Sequence, residues 1–490
     1  MKNVLFASPE AAPFAHSGGL GEVAGALPKA LNEDETLGIE CRVILPLYGK
    51  IDWQFRDKMR YIGYTYVNLS WRRQYLGLFS YDLDNVRYYF IDNEYYFKRD
   101  GFYGYYDDCE RFAYFSMAVF AALDLMKTDD GFVPEIIHAN DWQTALIPVY
   151  QTTLYRREYL KTILTIHNIE YQGHYGTDTL EYTIGIPEGA SYILDLGGDV
   201  NLLKGGLECA NAVTTVSPTY SGELRDWRNA FGLHDIINRN AWKMQGIMNG
   251  IDTDVYNSET DTMIPANFGH EDLSGKAECK KALQEKLGLP VREDVCMLSL
   301  CSRLVPAKGI DLITSTLEEI LSKKDVQFVM LGTGNYDYEN YFKYINGRFP
   351  DKARCMIEFN TAMSHELYAA SDVFIMPSRS EPCGLAQMIS CRYGTIPLVH
   401  KTGGLADSIK SCAAFLKQSN PKPPKANKQE GLGFVFEKFS AQAFMNAALK
   451  AINAYENKPS WERLMKYDMQ VDFSWKLPAK KYADLYNFFN

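Results

Sequence analysis

The sequence lacks paired cysteines and long apolar runs. Its 10 cysteines include no C-x-x-C pair, and several, such as Cys296 and Cys301, lie in apolar stretches. This pattern indicates buried thiols in a reducing cytoplasm rather than disulfides or a zinc site. No apolar run approaches the length of a membrane span, and the run near Met1 is too short for the core of a signal peptide. We therefore expect a cytoplasmic protein that does not bind membranes.

An excess of positive charge is also missing. The chain carries 51 lysines and arginines against 61 aspartates and glutamates, which gives a formal net charge of −10. Such a chain repels a polyanion unless a basic patch intervenes, so we expect no nucleic-acid partner. A small anionic ligand in a locally positive cleft is still compatible with this charge.

What the sequence does contain is a regular alternation of short apolar runs and helical segments. A length of 490 residues exceeds what one hydrophobic core supports, which predicts about two to three domains. The alternation occurs in both halves and predicts an α/β fold with two doubly wound sheets in tandem. Residues 61–93 alternate with a period of two instead, which predicts antiparallel hairpins inserted into the first domain. We place the domains at residues 1–245, 246–470 and 471–490.

The clearest candidate site follows the apolar run at residues 372–376. Glu381 stands in the next loop, ahead of a helical segment, and a glycine loop at residues 401–405 follows the next apolar run. Both loops leave the carboxyl ends of parallel strands, where open α/β sheets bind ligands. Glu381 either caps the helix or shares an anion-binding helix start with a ligand, and the local sequence favours neither interpretation.

Two basic residues follow another apolar run in the second half. The guanidinium of Arg303 and the ammonium of Lys308 together suit a diphosphate, although surface ion pairs explain them equally well. Gly332 and Gly334 follow a further strand, but the third glycine of a dinucleotide fingerprint is missing. This argues against an NAD-dependent oxidoreductase.

Polar residues also mark strand ends in the first half. The glycine loop at residues 18–21 follows the first strand and opens a helix; such a loop is more often a turn than a phosphate cradle. Asn140-Asp141 and His167-Asn168 end two later apolar runs. Single polar residues there are common turn formers, whereas several at one sheet edge favour a cleft. The D-x-D pattern at residues 82–84 is typical of a turn rather than a metal site.

Taken together, these segments resemble the bacterial glycogen synthase and plant starch synthase family, which are retaining glucosyltransferases. The resemblance covers nearly the whole chain and rests on an ordered set of motifs: Ala12-Pro13-Phe14-Ala15-His16-Ser17-Gly18-Gly19-Leu20-Gly21-Glu22-Val23, Thr165-Ile166-His167-Asn168, Thr215-Val216-Ser217-Pro218-Thr219-Tyr220, Asn249-Gly250-Ile251-Asp252, Ser302-Arg303-Leu304 with Lys308-Gly309, Ser380-Glu381-Pro382-Cys383-Gly384-Leu385 and Thr402-Gly403-Gly404-Leu405. It implies a GT-B fold, with two Rossmann-like doubly wound domains facing across a cleft and a C-terminal helix that crosses back to the first domain.

The resemblance also implies an activity. Glucose would pass from a nucleotide sugar, ADP-glucose in most bacterial and plant members, to the non-reducing end of an α-1,4-glucan such as glycogen, with retention of configuration. The first domain would lie on the acceptor side and the second would bind the nucleotide sugar. No metal and no further cofactor would be needed.

The family's site residues carry over position by position. Arg303 and Lys308 would hold the donor diphosphate, and Glu381 with the helix start at Gly384 would hold the donor glucose. Asp141 and His167 would face the sugar from the first domain, so that the catalytic set is Glu381, Asp141 and His167.

Two glycine loops complete the implied donor site. The first carries His16, Gly18 and Gly19, and in the second Thr402, Gly403 and Gly404 would close around the phosphates. The family usually has lysine where this chain has His16. Because histidine is only partly protonated at neutral pH, we expect donor affinity to weaken as rising pH removes its proton.

A second departure lies at Asn140-Asp141-Trp142-Gln143, where relatives commonly have His-Asp-Trp-His. The aspartate is kept, so we expect its sugar contact to be kept as well. For the reaction we favour attack from the face that the diphosphate leaves, with a diphosphate oxygen taking the acceptor's proton, over a covalent intermediate on Glu381 or Asp141. The competing functions are a non-catalytic α-glucan-binding homologue and a glucan phosphorylase that carries pyridoxal phosphate.

Overall fold

The computed structural model describes residues 1–418 and 431–489, and the chain divides into two compact units. Unit 1 comprises Met1–Gly250 and Trp475–Asn490, and unit 2 comprises Ile251–Ser474. Segment 418–431, which its prolines and lysines predict to be a solvated loop, lies outside the described residues except for its two ends. No helix in the described part of the chain is long and apolar enough to cross a membrane.

Unit 1 is built on a large, mostly parallel sheet. Its strands are β1 (Lys2–Ala7), β2 (Ile39–Pro46), β3 (Arg60–Leu69), β4 (Arg72–Leu83), β5 (Val86–Asp92), β6 (Ile136–Asn140), β7 (Lys161–Ile166), β8 (His174–Tyr175), β9 (Asp195–Leu196), β10 (Asp199–Asn201), β11 (Ala212–Thr215) and β12 (Met244–Gly246). The main sheet has the order β12-β11-β7-β6-β1-β2-β5-β4-β3, and β8, β10 and β9 form a small separate sheet. The order reverses at β1, so the loops after β1 and β6 leave the sheet side by side at the position where such sheets bind ligands.

The hairpins expected at residues 61–93 are confirmed. Strand β4 pairs antiparallel with both β3 and β5, whereas β5 pairs parallel with β2 and joins the hairpins to the main sheet. The turn between β4 and β5 contains Asp84 and Asn85, both with positive φ, which agrees with the turn predicted from the D-x-D pattern.

The helices of the first 250 residues cover this sheet. They are α1 (Gly19–Glu33), α2 (Trp53–Arg56), α3 (Glu94–Phe97), α4 (Asp108–Asp130), α5 (Leu146–Tyr150), α6 (Leu202–Cys209), α7 (Pro218–Glu223) and α8 (His234–Arg239). The sequence suggests an amphipathic helix at about residues 110–126, but α4 is buried on nearly all sides through Phe120, because it packs between β3 and α5. A helix that is enclosed in this way has no polar face to present to water.

Unit 2 contains a fully parallel sheet. Its strands are β13 (Cys296–Cys301), β14 (Val326–Leu331), β15 (Ala353–Met356), β16 (Val373–Met376), β17 (Ile396–His400) and β18 (Phe434–Phe436), in the order β15-β14-β13-β16-β17-β18. The apolar runs of the four central strands, β14, β13, β16 and β17, are buried on both faces, as expected for a parallel sheet covered by helices. The order reverses between β13 and β16, which places the loops that begin at Ser302 and Pro377 next to each other.

The helices of unit 2 are α9 (Ser274–Leu287), α10 (Ile310–Thr314), α11 (Leu317–Lys323), α12 (Tyr336–Arg348), α13 (Thr361–Ala370), α14 (Ala386–Arg392), α15 (Gly403–Ser408), α16 (Ala441–Tyr455) and α17 (Lys458–Met469). The last helix, α18 (Lys476–Phe488), belongs to unit 1. There the hydroxyl of Tyr486 lies 2.7 Å from Nδ1 of the buried His138, on β6. The chain therefore ends by packing on the sheet with which it begins.

Candidate active site

The loop after β1 is held in place by the buried carboxylate of Glu10. Glu10 accepts hydrogen bonds from the backbone N–H of Ser17, from its hydroxyl at 2.9 Å and from the hydroxyl of Tyr103 at 2.6 Å. Glu10 is only 3% exposed, whereas His16 and Ser17 are exposed. Glu10 therefore fixes the backbone next to His16 and leaves the imidazole at the surface.

The same loop leads into the first turn of α1. Its N-cap is Gly18, and no side chain in the described residues caps the helix there. The first N–H groups of a helix lack internal partners and carry a partial positive charge, so they bind anions. A Cβ on Gly21 would lie 2.3 Å from Cβ of His16, so the loop requires glycine at this position to fold back over the helix.

Asp141, directly after β6, has an uncommon backbone conformation for a residue other than glycine, with φ of 57°. Its Oδ1 accepts hydrogen bonds from the N–H groups of His167, at 2.6 Å, and Asn168, at 3.3 Å. Burial raises the pKa of Asp141 to about 7; the two N–H groups oppose this rise and the charge of Glu10 adds to it. Asp141 is therefore balanced between its protonated and ionised forms near neutral pH.

His167 is buried, and its ring is oriented by Asn140. The His167 Nε2 lies 3.0 Å from Oδ1 of Asn140, whose amide nitrogen donates to the carbonyls of Ala7 and His138. Because that oxygen can only accept, His167 Nε2 carries the proton and Nδ1 is an acceptor. Burial lowers the pKa of His167 to about 3, so the imidazole is neutral at physiological pH.

In unit 2, Glu381 is buried and paired with a lysine. The ammonium of Lys308 lies 2.6 and 2.9 Å from the two carboxylate oxygens of Glu381, and the hydroxyl of Ser378 donates to one of them at 2.9 Å. The N-cap of α14 is Leu385, with no side-chain cap in the described residues. Glu381 therefore does not cap the helix, so the first of the two interpretations left open by the sequence is wrong.

Arg303 differs from Lys308 in its surroundings. Its side chain is exposed, and among the described residues its guanidinium has no recorded hydrogen bond or ion pair. It stands in the loop after β13, beside the loop of Glu381 at the point where the strand order reverses. An unpaired guanidinium in this position is free to form a forked interaction with a phosphate.

Glycines let three loops of unit 2 pack backbone on backbone. A Cβ on Gly309 would lie 2.0 Å from the carbonyl oxygen of Pro377, and one on Gly403 would lie 2.0 Å from that of Glu381. The N–H of Gly404 donates to the same Glu381 carbonyl at 3.0 Å. Thr402, which precedes them, is buried. The backbone of the 402–404 segment therefore packs directly against the loop that contains Glu381.

Gly384 has a positive φ of 70°, and a Cβ there would lie 2.5 Å from Oε1 of Gln387. The amide nitrogen of Gln387 donates to the carbonyls of Cys383 and Gly384 and to the hydroxyl of Ser408. Gln387 thus links this loop to α15.

The structure brings the predicted residues together within each unit. Unit 1 groups His16, Gly18 and Gly19 on one loop, with Asp141 and His167 on the loops of neighbouring strands, and unit 2 groups Arg303, Lys308, Glu381, Gly384 and the segment 402–404 at one sheet edge. Sequence reasoning missed Glu10, Ser378, Gln387 and the orienting role of Asn140. Each lies within a few residues of a motif, and the first two are polar residues just past a buried strand, which is a signal that the sequence contained.

Among the described residues, no cluster of three or more histidine, cysteine, aspartate or glutamate side chains is arranged to hold a metal ion. Two doubly wound units, with basic residues and glycine loops at the carboxyl ends of their strands, are typical of an enzyme that binds a nucleotide-linked ligand.

Comparisons with known proteins agree with this class. Residues 3–239 match the family model described as starch synthase catalytic domain, and residues 288–463 match that described as glycosyl transferases group 1. A glycogen synthase from Streptococcus gordonii is 42% identical over 490 residues, and one from Bacillus cereus strain ZK is 41% identical over 492 residues; each alignment covers 99% of both chains.

Solved structures give the same result. The catalytic domain of starch synthase IV from Arabidopsis thaliana, bound to ADP and acarbose, superposes with a TM-score of 0.88 at 35% identity, covering 100% of this chain and 99% of that one. A sucrose-phosphate synthase from Thermosynechococcus elongatus, at 15% identity and a TM-score of 0.60, shares the fold. This chain belongs to the glycogen synthase and starch synthase family of glycosyltransferases. The predicted GT-B fold and glycosyltransferase class are confirmed.

Proposed function

We propose that this enzyme transfers glucose from ADP-glucose to the non-reducing end of an α-1,4-glucan such as glycogen, with retention of configuration. The observation that carries the proposal is the pair of Lys308 with the buried Glu381, at the same sheet edge as the unpaired Arg303 and the 402–404 segment. The Arabidopsis relative was solved with ADP and with acarbose, which supports an adenine nucleotide and a glucan as ligands.

The cations of unit 2 would bind the donor diphosphate. Arg303 would supply a planar fork of donors and Lys308 a compact charge, while backbone N–H groups near Gly384 and Gly403 would add neutral donors. In unit 1, the exposed N–H groups at the helix start of Gly18 and Gly19, beside His16, suit an anionic part of the donor. Since these groups already provide positive charge, we propose that no metal is required.

Each unit also offers sugar hydroxyls hydrogen-bonding groups with fixed orientations. Glu381, held by Lys308 and Ser378, would accept hydrogen bonds from donor hydroxyls. In unit 1, Nδ1 of the neutral His167 and Oδ2 of Asp141, for which no hydrogen bond is recorded among the described residues, would accept from sugar hydroxyls as well. A protonated Asp141 would donate instead.

In the proposed transfer step, negative charge develops on the departing diphosphate. The bond between C1 of glucose and the diphosphate oxygen breaks, and its electron pair leaves with the nucleoside diphosphate. The O4 of the acceptor forms a bond to C1 from the same face, and its proton passes to a diphosphate oxygen. Arg303 and Lys308 would stabilise the transition state because negative charge grows on the departing group.

Turnover with each nucleotide sugar tests the proposal. The purified enzyme, in the presence of a chelator, should release ADP from ADP-glucose when glycogen or maltotetraose is added, and it should release UDP from UDP-glucose far more slowly. Arg303→Ala and Glu381→Gln should lower turnover by about 100-fold or more, because both groups act in the transition state. Arg348→Ala, which removes an exposed arginine of α12, is the matched control. Glucan binding without nucleotide release, or a covalent adduct on Glu381 or Asp141, would contradict the proposed reaction.

A further inference from the structure

The loop between α3 and α4, residues 98–107, is neither helix nor strand, and a buried ion pair holds it. Arg111, in the first turn of α4, is fully buried. Its Nη1 donates to Asp108 Oδ1 at 2.5 Å and to the carbonyl of Phe102 at 3.0 Å. Its Nε donates to the carbonyl of Tyr96 at 2.8 Å. One guanidinium thus connects α3, the loop and α4.

The same ion pair fixes the backbone on both sides of Tyr103. Arg111 binds the carbonyl of Phe102, the residue before it. The second carboxylate oxygen of Asp108 accepts from the N–H groups of the two residues after it, at 2.8 and 3.2 Å. The direction in which the side chain of Tyr103 leaves the loop is therefore set by Arg111 and Asp108.

The side chain of Tyr103 reaches the carboxylate that holds the loop after β1. Its hydroxyl donates to Glu10 Oε1 at 2.6 Å, and Glu10 also accepts from the backbone N–H and the hydroxyl of Ser17. A buried carboxylate needs such donors, because burial removes its water. Hydrogen bonds therefore lead from Arg111, through the backbone and hydroxyl of Tyr103, to the loop that contains His16.

The surroundings of Arg111 restrict the orientation of its guanidinium. The guanidinium carbon lies 4.9, 5.3 and 5.9 Å from the ring centroids of Tyr105, Phe112 and Phe97. Apolar residues of similar volume often stabilise a core as well as a buried ion pair does, so the pair is poorly explained by stability alone. What an ion pair adds here is a fixed set of hydrogen bonds that converge on one short loop.

We propose that Arg111 and Asp108 are positioning residues for the nucleotide sugar, which act through Tyr103 and Glu10 on the loop at residues 16–19. This rests on the proposed function, in which that loop receives an anionic part of the donor. The free N–H groups at a helix start bind an anion well only if the chain leading into the helix is held in place. A fully buried arginine exerts this effect through its hydrogen bonds.

A double-mutant cycle in the full-length enzyme tests the proposal. Arg111→Lys keeps the charge but loses the planar fork that serves several acceptors at once, and Tyr103→Phe removes only the hydroxyl. Each variant should raise KM for ADP-glucose by about fivefold or more, because a small misplacement of a binding group is costly. KM for glycogen should stay unchanged. The double variant should show no more than the larger single effect, since both changes break the same chain of hydrogen bonds.

Arg42→Lys is the matched control. Arg42 is another arginine of unit 1 that pairs with carboxylates, those of Glu40 and Asp130. Its replacement should lower the free energy of unfolding in urea and leave KM for ADP-glucose as it is. If Arg111→Lys does not fold, Asp108→Asn gives the same comparison, because the amide keeps one oxygen for the N–H groups of the loop.

Two results would overturn the proposal. One is an unchanged KM for ADP-glucose in the Arg111 or Asp108 variant, and the other is a double variant in which the two single effects multiply. Isothermal titration calorimetry with ADP repeats the cycle without turnover. If the unchanged enzyme binds ADP but releases none from ADP-glucose, the proposed function fails, and the ADP affinities alone then decide whether Arg111 and Asp108 position the loop.

Discussion

The ammonium of Lys308 lies 2.6 Å from a carboxylate oxygen of Glu381 in a pair whose carboxylate side is almost fully buried. Two residues that the family resemblance assigns to different parts of the donor are thus paired with each other. A diphosphate would have to share Lys308 with Glu381, so that donor binding and the orientation of Glu381 are coupled. The pairing also has consequences for stability.

Replacing Lys308 alone should destabilise unit 2. Lys308→Ala leaves Glu381 buried with only Ser378 as a side-chain partner, and we expect a loss of about 2–4 kcal/mol in the free energy of unfolding, because a buried charge without its partner is costly. The double variant Lys308→Ala with Glu381→Gln should recover more than half of that loss. Urea unfolding followed by circular dichroism measures both. A double variant no more stable than the single one would show that the charge of Glu381 is not the cause.

A permanent positive charge at position 16 should strengthen donor binding. The family resemblance places lysine where this chain has His16, and a lysine ammonium attracts a phosphate group as a compact charge. KM for ADP-glucose should therefore fall in His16→Lys and rise in His16→Gln. Initial rates at several donor concentrations, at constant pH and ionic strength, measure both changes. Equal KM values in the two variants and the unchanged enzyme would show that position 16 does not contact the donor.

Asp141 should lower the free energy of unfolding at alkaline pH. Its pKa is raised to about 7 in the folded chain, so the unfolded chain loses this proton at a lower pH, and stability falls as pH rises between the two pKa values. Asp141→Asn removes this penalty and should raise the free energy of unfolding at pH 8 by about 2–4 kcal/mol. The gain should shrink as the pH falls toward 5.

Urea unfolding at pH 5, 6, 7 and 8 measures this difference for Asp141→Asn, with Asp124→Asn, an exposed aspartate of α4, as the control. A gain that is the same at every pH would mean that the amide stabilises the fold for a reason other than the missing charge.

The hydrogen bond between Tyr486 and His138 should hold the C-terminal helix on unit 1. Tyr486→Phe leaves a buried imidazole nitrogen without its partner and should cost about 1–3 kcal/mol. Hydrogen exchange should increase mainly in α18, and urea unfolding should give the overall loss. Tyr159→Phe, at an exposed position, should change neither. Unchanged exchange in α18 in the Tyr486 variant would show that apolar packing alone holds the helix.

The sequence predicted the α/β class, the hairpins and the positions of the strand-end loops, because these depend on patterns that act over a few residues. Apolar runs buried on both faces identify parallel strands, and glycines identify loops that must approach another backbone. The burial of α4 was not predictable in this way. Whether a helix has a polar face depends on what packs around it, and other strands and helices separate α4 from both β3 and α5 along the chain.

The sequence by itself determined which residues stand at the carboxyl ends of the strands, since the position of a loop follows from local pattern. Only the tertiary structure decided what those residues do to one another. The partner of Lys308, the neutral state of His167 and the raised pKa of Asp141 all depend on burial and on contacts between distant segments, because electrostatic interactions change with the local environment and not with position along the chain.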